Sequence, residues 1–196
     1  DKTEISIDTL AGIKYLQLTV EKGKVTKVRV NMGQPILDPA DIPVVADKAP
    51  VVAEPIEVCG TEWKMTCVSM GNPHAVIFID TPVKEFPLEE VGPHFENHKR
   101  FPKRTNTEFV RVLDRHTLEM RVWERGSGET LACGTGTCAA VVAGVLNGLC
   151  DRDTLVHLLG GDLEIEWNEA DNCVYMTGSA TEVFEGEITL PEEMTE

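Results

Sequence analysis

One segment constrains the fold more than any other. Residues Gly134–Leu146 carry apolar or small side chains on nearly every side. A helix with this pattern has no polar face to expose to water, so the rest of the molecule has to enclose it. Gly148 follows shortly after and is suited to ending a helix. The sequence therefore predicts a buried helix surrounded by other elements.

Short runs rich in Val, Ile, Thr and Tyr flank this segment and are typical of β-strands. A second helix is predicted over 88–98, beginning near Pro87, although Gly92 and Pro93 interrupt its pattern. Residues 33–50 are rich in Pro and Asp and are typical of a long loop. Since strands outnumber helices, we expect an α+β fold with antiparallel and mixed sheets wrapped around a central buried helix. The predicted strands are 5–8, 13–20, 24–31, 51–58, 62–70, 75–80, 107–113, 117–123, 155–159, 163–167, 173–177 and 182–189.

The composition describes a globular protein with an acidic surface. Its hydrophobic content of 42% is enough for an ordinary core. The net charge of −15 repels phosphate backbones, so nucleic-acid binding is not expected. No run of about 18 apolar residues is present, so no membrane segment is expected. The six cysteines lack a Cys-x2-Cys pair, which gives zinc little support. With no secretory segment at Asp1, a cytoplasmic protein with reduced thiols is expected.

The stretch from Glu124 to Cys138 concentrates chemically useful groups. Its four glycines allow the backbone to approach a ligand closely. Cys133 immediately precedes the predicted helix, where unpaired N–H groups bind anions such as carboxylate. The same partial positive charge is expected to lower the pKa of this thiol and make it a better base and nucleophile. The alternative is a tight strand-to-helix connection with a buried inert thiol. Cys138 lies inside the apolar helix and is interpreted as a core residue.

Two further segments offer side chains that could bind a ligand. Gly71-Asn-Pro-His74 is a turn signal at a strand end, where Asn72 could bind a carboxylate and His74 could tune a nearby thiol. Asn106 lies in a loop before a strand and is a second ligand-binding candidate. Each has an ordinary structural explanation as well, namely turn chemistry with a strand histidine and an Asn cap. The residues alone leave both interpretations open.

In their order and spacing, these segments resemble the diaminopimelate epimerase family, and the resemblance extends over nearly the whole chain. The stretches that carry it are Asp8-Thr-Leu-Ala-Gly12, Asn31-Met-Gly33, Gly71-Asn-Pro-His74, Phe101-Pro102, Asn106-Thr-Glu-Phe109, Glu124-Arg-Gly-Ser-Gly-Glu-Thr-Leu-Ala-Cys-Gly-Thr-Gly-Thr-Cys138, Met176-Thr-Gly178 and Val183-Phe-Glu-Gly186.

The resemblance implies an isomerase that interconverts L,L- and meso-diaminopimelate, for lysine and peptidoglycan biosynthesis, without pyridoxal phosphate or metal. One cysteine removes the α-proton as thiolate, and a second delivers a proton as thiol from the opposite face. Cys133 matches the second of the family's two catalytic cysteines along the chain. The resemblance assigns the α-carboxylate to Gly134 and Thr135, the α-amino group to Glu124, and the distal end of the substrate to Arg125, Asn72 and Asn106. It assigns modulation of the thiol pKa to His74 and Glu124.

Other functions fit the same residues. A proline-type racemase or a phenazine-biosynthesis-type isomerase would share the implied fold, although Glu124-Arg125 and Asn72-Pro-His74 favour diaminopimelate. A non-catalytic amino-acid-binding module is a second class of alternative. A Cys-dependent hydrolase is a third, and it would need a histidine base for Cys133, for which His74 is the candidate.

In one respect the chain departs from the family pattern. The family's first catalytic cysteine lies in a Cys-Gly-Asn-Gly motif, which this sequence lacks; Cys59-Gly60 is not followed by Asn-Gly. We therefore expect a C-terminal portion that needs an N-terminal domain as partner and is inactive alone. Residues 1–33 would be the remnant of a first epimerase domain, 34–180 the second domain, and 181–196 a strand returning to the first domain followed by an acidic tail. The full enzyme is expected to be a homodimer.

Overall fold

The computed structural model describes residues 2–9 and 12–189. Within these ranges the chain forms twelve strands, two α-helices and a short 3-10 helix at Val83–Glu85. The strands are β1 (Glu4–Thr9), β2 (Gly12–Glu21), β3 (Lys24–Gly33), β4 (Glu54–Val58), β5 (Thr61–Ser69), β6 (Pro73–Phe78), β7 (Asn106–Asp114), β8 (Thr117–Glu124), β9 (Gly128–Glu129), β10 (Asp153–Leu158), β11 (Gly161–Trp167) and β12 (Val174–Ser179), and the helices are α1 (Leu88–Glu96) and α2 (Gly134–Leu146).

The strands form one mixed sheet in the order β1-β2-β3-β12-β11-β10-β8-β7-β6-β5-β4, with β9 paired to β8. The β6–β7 and β8–β10 pairs are parallel, and the other pairs are antiparallel. A parallel pair needs a long crossover connection, and these two crossovers contain α1 and α2. The predicted α+β class is confirmed.

The helix α2 lies inside the curved sheet. It contacts β5, β6 and β7 on one side and β11 and β12 on another, although β5 and β12 are far apart in the strand order. The sheet therefore wraps around the helix, and every residue from Gly136 to Gly144 is buried. This arrangement confirms the predicted buried helix and explains its lack of a polar face.

A second core lies on the opposite face of the β4–β7 strands. There α1 and the loop before β4 pack through a cluster that includes Phe86, Phe95 and Phe109. Successive side chains of a strand point to opposite faces, so Phe109 faces this second core while its neighbour Val110 belongs to the core around α2. The even-numbered residues of β7 accordingly face α2.

One predicted strand is not formed. Residues 180–189 contain no helix or strand, and after Ala180 donates its N–H to the carbonyl of Thr26 no strand pairing continues. The apolar side chains of Val183, Phe184 and Ile188 are 84–85% exposed. The prediction of a strand over 182–189 was wrong for this structure because alternation alone does not make a strand; a neighbouring strand has to accept it.

The division into domains stays a prediction. The strand β3 pairs with β12, so β1–β3 continue the sheet of the remaining chain across the boundary predicted at residue 33. The acidic tail at 191–196, and Leu10 and Ala11 of the Asp8–Gly12 stretch, lie outside the described residues. No helix in the described ranges combines the length and apolarity needed to cross a membrane.

Candidate active site

Cys133 is the residue from which α2 starts. Its backbone is extended (φ −133°, ψ 102°), and its carbonyl accepts the Thr137 N–H and the Thr137 hydroxyl, both at 2.8 Å. The thiol therefore lies beside the first turn of the helix, whose N–H groups have no partner within the helix. The sulfur contacts Thr135 Oγ1 at 3.6 Å, and the nearby Gly136 N–H lowers the pKa of the thiol. The structure thus places Cys133 and Thr135 where the sequence suggested an anion-binding turn.

The pKa of this thiol moves opposite to the expectation. Burial raises the pKa of Cys133 to about 11, and the charge of Glu108 adds to the increase. The hydrogen bonds from Thr135 and Gly136 lower it, as expected for a helix start, but their effect is smaller. The sequence-based prediction of a lowered pKa was therefore wrong for this chain, because it counted the helix N-terminus and not the burial.

Two glycines of the turn leave room where a side chain would collide. A β-carbon built on Gly134 would lie 3.0 Å from the Met176 sulfur. A β-carbon on Gly136 would lie 2.5 Å from Glu108 Oε1 and 3.2 Å from Cys133 Sγ. Gly136 therefore lets the Glu108 carboxylate and the Cys133 thiol approach the same point, and it marks Glu108 as a neighbour of the thiol.

A chain of hydrogen bonds links Glu108 to Asn72. His74 is fully buried between them: its Nδ1 lies 2.7 Å from Glu108 Oε1, and its Nε2 lies 3.0 Å from Asn72 Oδ1. Glu108 is also fully buried, and its second carboxylate oxygen, Oε2, has no hydrogen-bond partner. A buried carboxylate without full hydrogen bonding is costly, so its retention calls for an explanation.

Asn106 and Arg125 are joined through the backbone. Asn106 Oδ1 accepts the Arg125 N–H at 2.9 Å, while the Arg125 guanidinium donates to the Lys103 carbonyl at 3.0 Å. Glu124 accepts a short hydrogen bond from the Thr130 hydroxyl. Its charge also contributes to raising the Cys133 pKa. These hydrogen bonds hold the turn that carries Glu124 and Arg125 in place.

A buried carboxylate on α1 anchors the same turn. Glu96 Oε1 accepts the Gly126 N–H at 2.9 Å and an Arg104 Nη1–H at 2.8 Å, and Oε2 accepts the Trp123 Nε1–H at 2.7 Å. All three bonds are charge-assisted, which makes them stronger than neutral ones. Glu96 therefore holds both sides of the Glu124-Arg125 pair.

The parallel strands β6 and β7 bring the predicted site residues together. His74 is opposite Asn106 in the register, Asn72 precedes β6, and Asn106 holds the Arg125 backbone. The link to Cys133 runs through Glu108, two residues after Asn106 on the same face of β7. Sequence reasoning missed both Glu108 and Glu96. The sequence did contain an indication for Glu108. It lies two residues before the apolar Val110 in a predicted strand, so both side chains point to the same face of the sheet, and Glu108 places a charge on the face that packs in the core.

Among the described residues, no group of three or more His, Cys, Asp or Glu side chains is arranged to hold a metal ion. The remaining cysteines differ from Cys133 in their surroundings. Burial raises the pKa of Cys67 and of Cys138 to about 12, and Cys138 packs in the core as interpreted from the sequence. All six thiols are free.

Solved structures of similar fold are racemases and related isomerases. A probable proline racemase from Agrobacterium radiobacter K84 has a TM-score of 0.69 at 14% identity, covering 100% of this chain and 63% of that one. A hydroxyproline epimerase from Agrobacterium vitis has a TM-score of 0.63 at 13% identity, covering 91% and 57%. At such identities the likeness shows the fold alone, which this chain shares with both of these structures.

The sequence comparisons identify the family to which the chain belongs. The family model described as diaminopimelate epimerase matches residues 66–183. The diaminopimelate epimerase of Acetivibrio thermocellus is 61% identical over 192 residues, which are 98% of this chain and 68% of that protein. The enzyme of the same name from Agathobacter rectalis is 62% identical over 197 residues, 97% of this chain and 69% of that protein. The chain therefore belongs to the diaminopimelate epimerase family, a family of isomerases, and spans about two thirds of these relatives.

Proposed function

We propose that this chain supplies Cys133 as one of two acid–base thiols that epimerise L,L-diaminopimelate to meso-diaminopimelate without a cofactor. The observation that carries the proposal is the position of Cys133 at the first turn of α2, next to the Gly136 N–H and Thr135. Backbone N–H groups at a helix start bind a carboxylate, and in the reaction negative charge develops on that group as the α-proton leaves.

The raised pKa indicates which form of the thiol is present at rest. With a pKa of about 11, Cys133 carries its proton at neutral pH. A protonated thiol can deliver a proton to a carbanion directly. To act as base in the reverse direction, it first has to release that proton to solvent, and the positive charge of the substrate's α-ammonium favours this release by stabilising the thiolate.

The distal end of the substrate is assigned to three residues. Asn72 Oδ1 is occupied by His74, so the Asn72 amide nitrogen is the donor that a distal carboxylate can accept from. Asn106 and Arg125 are tied to each other, which fixes the start of β7 relative to the turn. Arg125 offers a guanidinium that suits a carboxylate. Glu124 offers a carboxylate to the substrate's α-amino group.

Inversion at one carbon requires two groups on opposite faces, because a single base would return the proton to the side it left. The sequence contains no Cys-Gly-Asn-Gly motif to supply the second thiol. We therefore propose that the 196-residue chain alone binds substrate weakly and does not epimerise it, and that an N-terminal domain completes the site.

The test follows the α-proton. L,L-diaminopimelate in D2O is incubated with the chain alone and with the chain plus the N-terminal third of the Acetivibrio thermocellus relative, and formation of deuterated meso product is followed by NMR. We expect no product from the chain alone, product from the mixture, and none when the mixture contains Cys133→Ala. The variant Cys138→Ala is the matched control, since it removes a core thiol of the same helix.

Two results would contradict the proposal. Turnover by the chain alone would refute its inactivity, and turnover by the Cys133→Ala mixture would refute the role of the thiol. An aziridine analogue of diaminopimelate adds a second measurement on the mixture: alkylation at Cys133 supports the epimerase, whereas acylation of Cys133 by acyl substrates would indicate a hydrolase.

A further inference from the structure

Glu108 has no role in the reaction as proposed, yet it is the most unusual charged group in the described structure. It is fully buried on β7, and one of its two oxygens has no hydrogen-bond partner. Its other oxygen contacts His74, which is equally buried. Gly136 leaves room for it beside the Cys133 sulfur.

Counting protons fixes the charge of the Glu108–His74 pair. The Asn72 Oδ1 oxygen can only accept, so the 3.0 Å contact places a proton on His74 Nε2. The 2.7 Å contact between His74 Nδ1 and Glu108 Oε1 needs a second proton, because two acceptors would repel. This proton can reside on either atom, and in both placements the pair has no net charge. A shared proton also explains why two ionisable groups can be completely buried together.

We propose that Glu108 is a positioning residue of the epimerisation site: by sharing one proton with His74 it orients Asn72 and keeps a compensated rather than a bare carboxylate beside Cys133. The inference rests on the proposed function, since it concerns the residues assigned there to the thiol and to the distal carboxylate.

The orientation part follows from the direction of the hydrogen bonds. With Nδ1 engaged by Glu108, His74 presents Nε2–H to Asn72 Oδ1, which leaves the Asn72 amide nitrogen available to donate to a ligand. Without Glu108, either nitrogen of His74 could carry the proton, and Asn72 would lose the partner that fixes its amide. The hydrogen bonds from Glu108 through His74 to Asn72 thus allow a buried carboxylate to fix the orientation of the Asn72 amide donor.

Three ionisable groups face the Cys133 thiol. These are Glu108 from β7, Glu124 from β8 and Cys138 from α2, with His74 behind Glu108. The charges of Glu108 and Glu124 both favour the protonated thiol, and Glu108 has the larger effect. His74 offsets the Glu108 charge, so removing His74 should alter the pKa of the Cys133 thiol only while Glu108 is present.

The experiment measures the pH at which Cys133 becomes reactive in the resting 196-residue chain. Rates of iodoacetamide alkylation are followed for each cysteine by peptide mass spectrometry, which separates Cys133 from the exposed Cys59. The variants are Glu108→Gln, His74→Gln and the double variant. Glu119→Gln is the matched control, because it removes a carboxylate from β8 that pairs with Arg111.

We expect Glu108→Gln to lower the alkylation midpoint of Cys133 by up to about one pH unit, because the carboxylate end of the neutral pair is the end that lies beside the thiol, and Glu119→Gln to leave it unchanged. We expect His74→Gln to shift the midpoint in the wild-type chain and not in the Glu108→Gln chain. A midpoint unchanged by Glu108→Gln, or an equal effect of His74→Gln in both backgrounds, would overturn the proposal.

A second measurement uses the wild-type chain, so it does not depend on whether a Glu108 or His74 variant folds. In the wild-type chain, the 15N and 1H resonances of His74 should show a proton on Nε2 and a far-downfield proton shared with Glu108; a proton on Nδ1 alone, with Nε2 bare, would refute the chain of hydrogen bonds. Both measurements use the protein without substrate. Their outcome is therefore separate from the turnover assay, which decides whether Cys133 is catalytic at all.

Discussion

Replacing Gly136 by Ala is the sharpest structural test of the packing around the thiol. The added β-carbon would lie 2.5 Å from Glu108 Oε1, 3.2 Å from Glu108 Cδ and 3.2 Å from Cys133 Sγ. The first of these is far inside van der Waals contact, and the carboxylate is held in place by His74 at 2.7 Å. Glu108 therefore cannot move aside without lengthening that hydrogen bond.

The size of the effect can be bounded. Overpacking a core by one methyl group costs about 1–3 kcal/mol, while Ala gains about 1 kcal/mol over Gly within a helix. Because His74 holds Glu108 in place, we take the upper part of the overpacking range, about 2–3 kcal/mol. We therefore expect Gly136→Ala to lower the free energy of unfolding by about 1–2 kcal/mol, a fall of roughly 2–8 °C in Tm for a chain of this size. Urea unfolding followed by circular dichroism measures it.

The matched control is Gly144→Ala in the same helix. Its β-carbon would lie 2.4 Å from the Cys150 sulfur, so it should destabilise the chain similarly while leaving the pH profile of Cys133 alkylation intact. Gly136→Ala should alter that profile, because it displaces Glu108. A Gly136→Ala chain as stable as the wild type, with unchanged Cys133 reactivity, would refute the packing argument.

Two further predictions concern buried groups elsewhere. The folded-state pKa values of the four buried thiols, Cys67, Cys133, Cys138 and Cys150, are raised above the usual 9.0, so the unfolded chain loses these protons first and stability falls as the pH rises above about 9. Each thiol contributes about 1 kcal/mol per pH unit there, and Cys138→Ala should reduce the slope in urea unfolding; an unchanged slope would contradict this. Glu96→Gln should lower the free energy of unfolding by about 1–3 kcal/mol and speed hydrogen exchange at the Gly126 amide, whereas Glu90→Gln on the exposed side of α1 should change stability by less than about 0.5 kcal/mol; equal effects of the two would refute the anchoring role of Glu96.

Much of the fold could be predicted because it depends on local patterns. The all-apolar run placed α2 at Gly134–Leu146, the bounds found in the structure, since such a run has one physical solution. The predicted helix 88–98 is α1 at Leu88–Glu96, shorter by two residues at the end where the cap forms. Strand positions follow the period-two alternation. The segment 182–189 was mispredicted because strand formation depends on a partner that the local pattern does not contain.

The site was less predictable because its properties arise between segments. The sequence indicated that Cys133 starts a helix, but the direction of its pKa depends on burial and on Glu108, which comes from a strand 25 positions earlier in the chain. Likewise, Glu96 lies on α1 with nothing in its neighbours to indicate that it would accept bonds from Arg104, Trp123 and Gly126. Register and packing, rather than composition, bring such groups together.

The shared space at Gly136 also limits how this chain can vary during evolution. Because a β-carbon at position 136 and the carboxylate at position 108 would occupy the same volume, a larger residue at 136 is tolerable only after residue 108 has become smaller. The reverse order is open, since shortening 108 leaves a cavity but no collision. Substitutions at the two positions should therefore be correlated and ordered in time across lineages, with position 108 changing first.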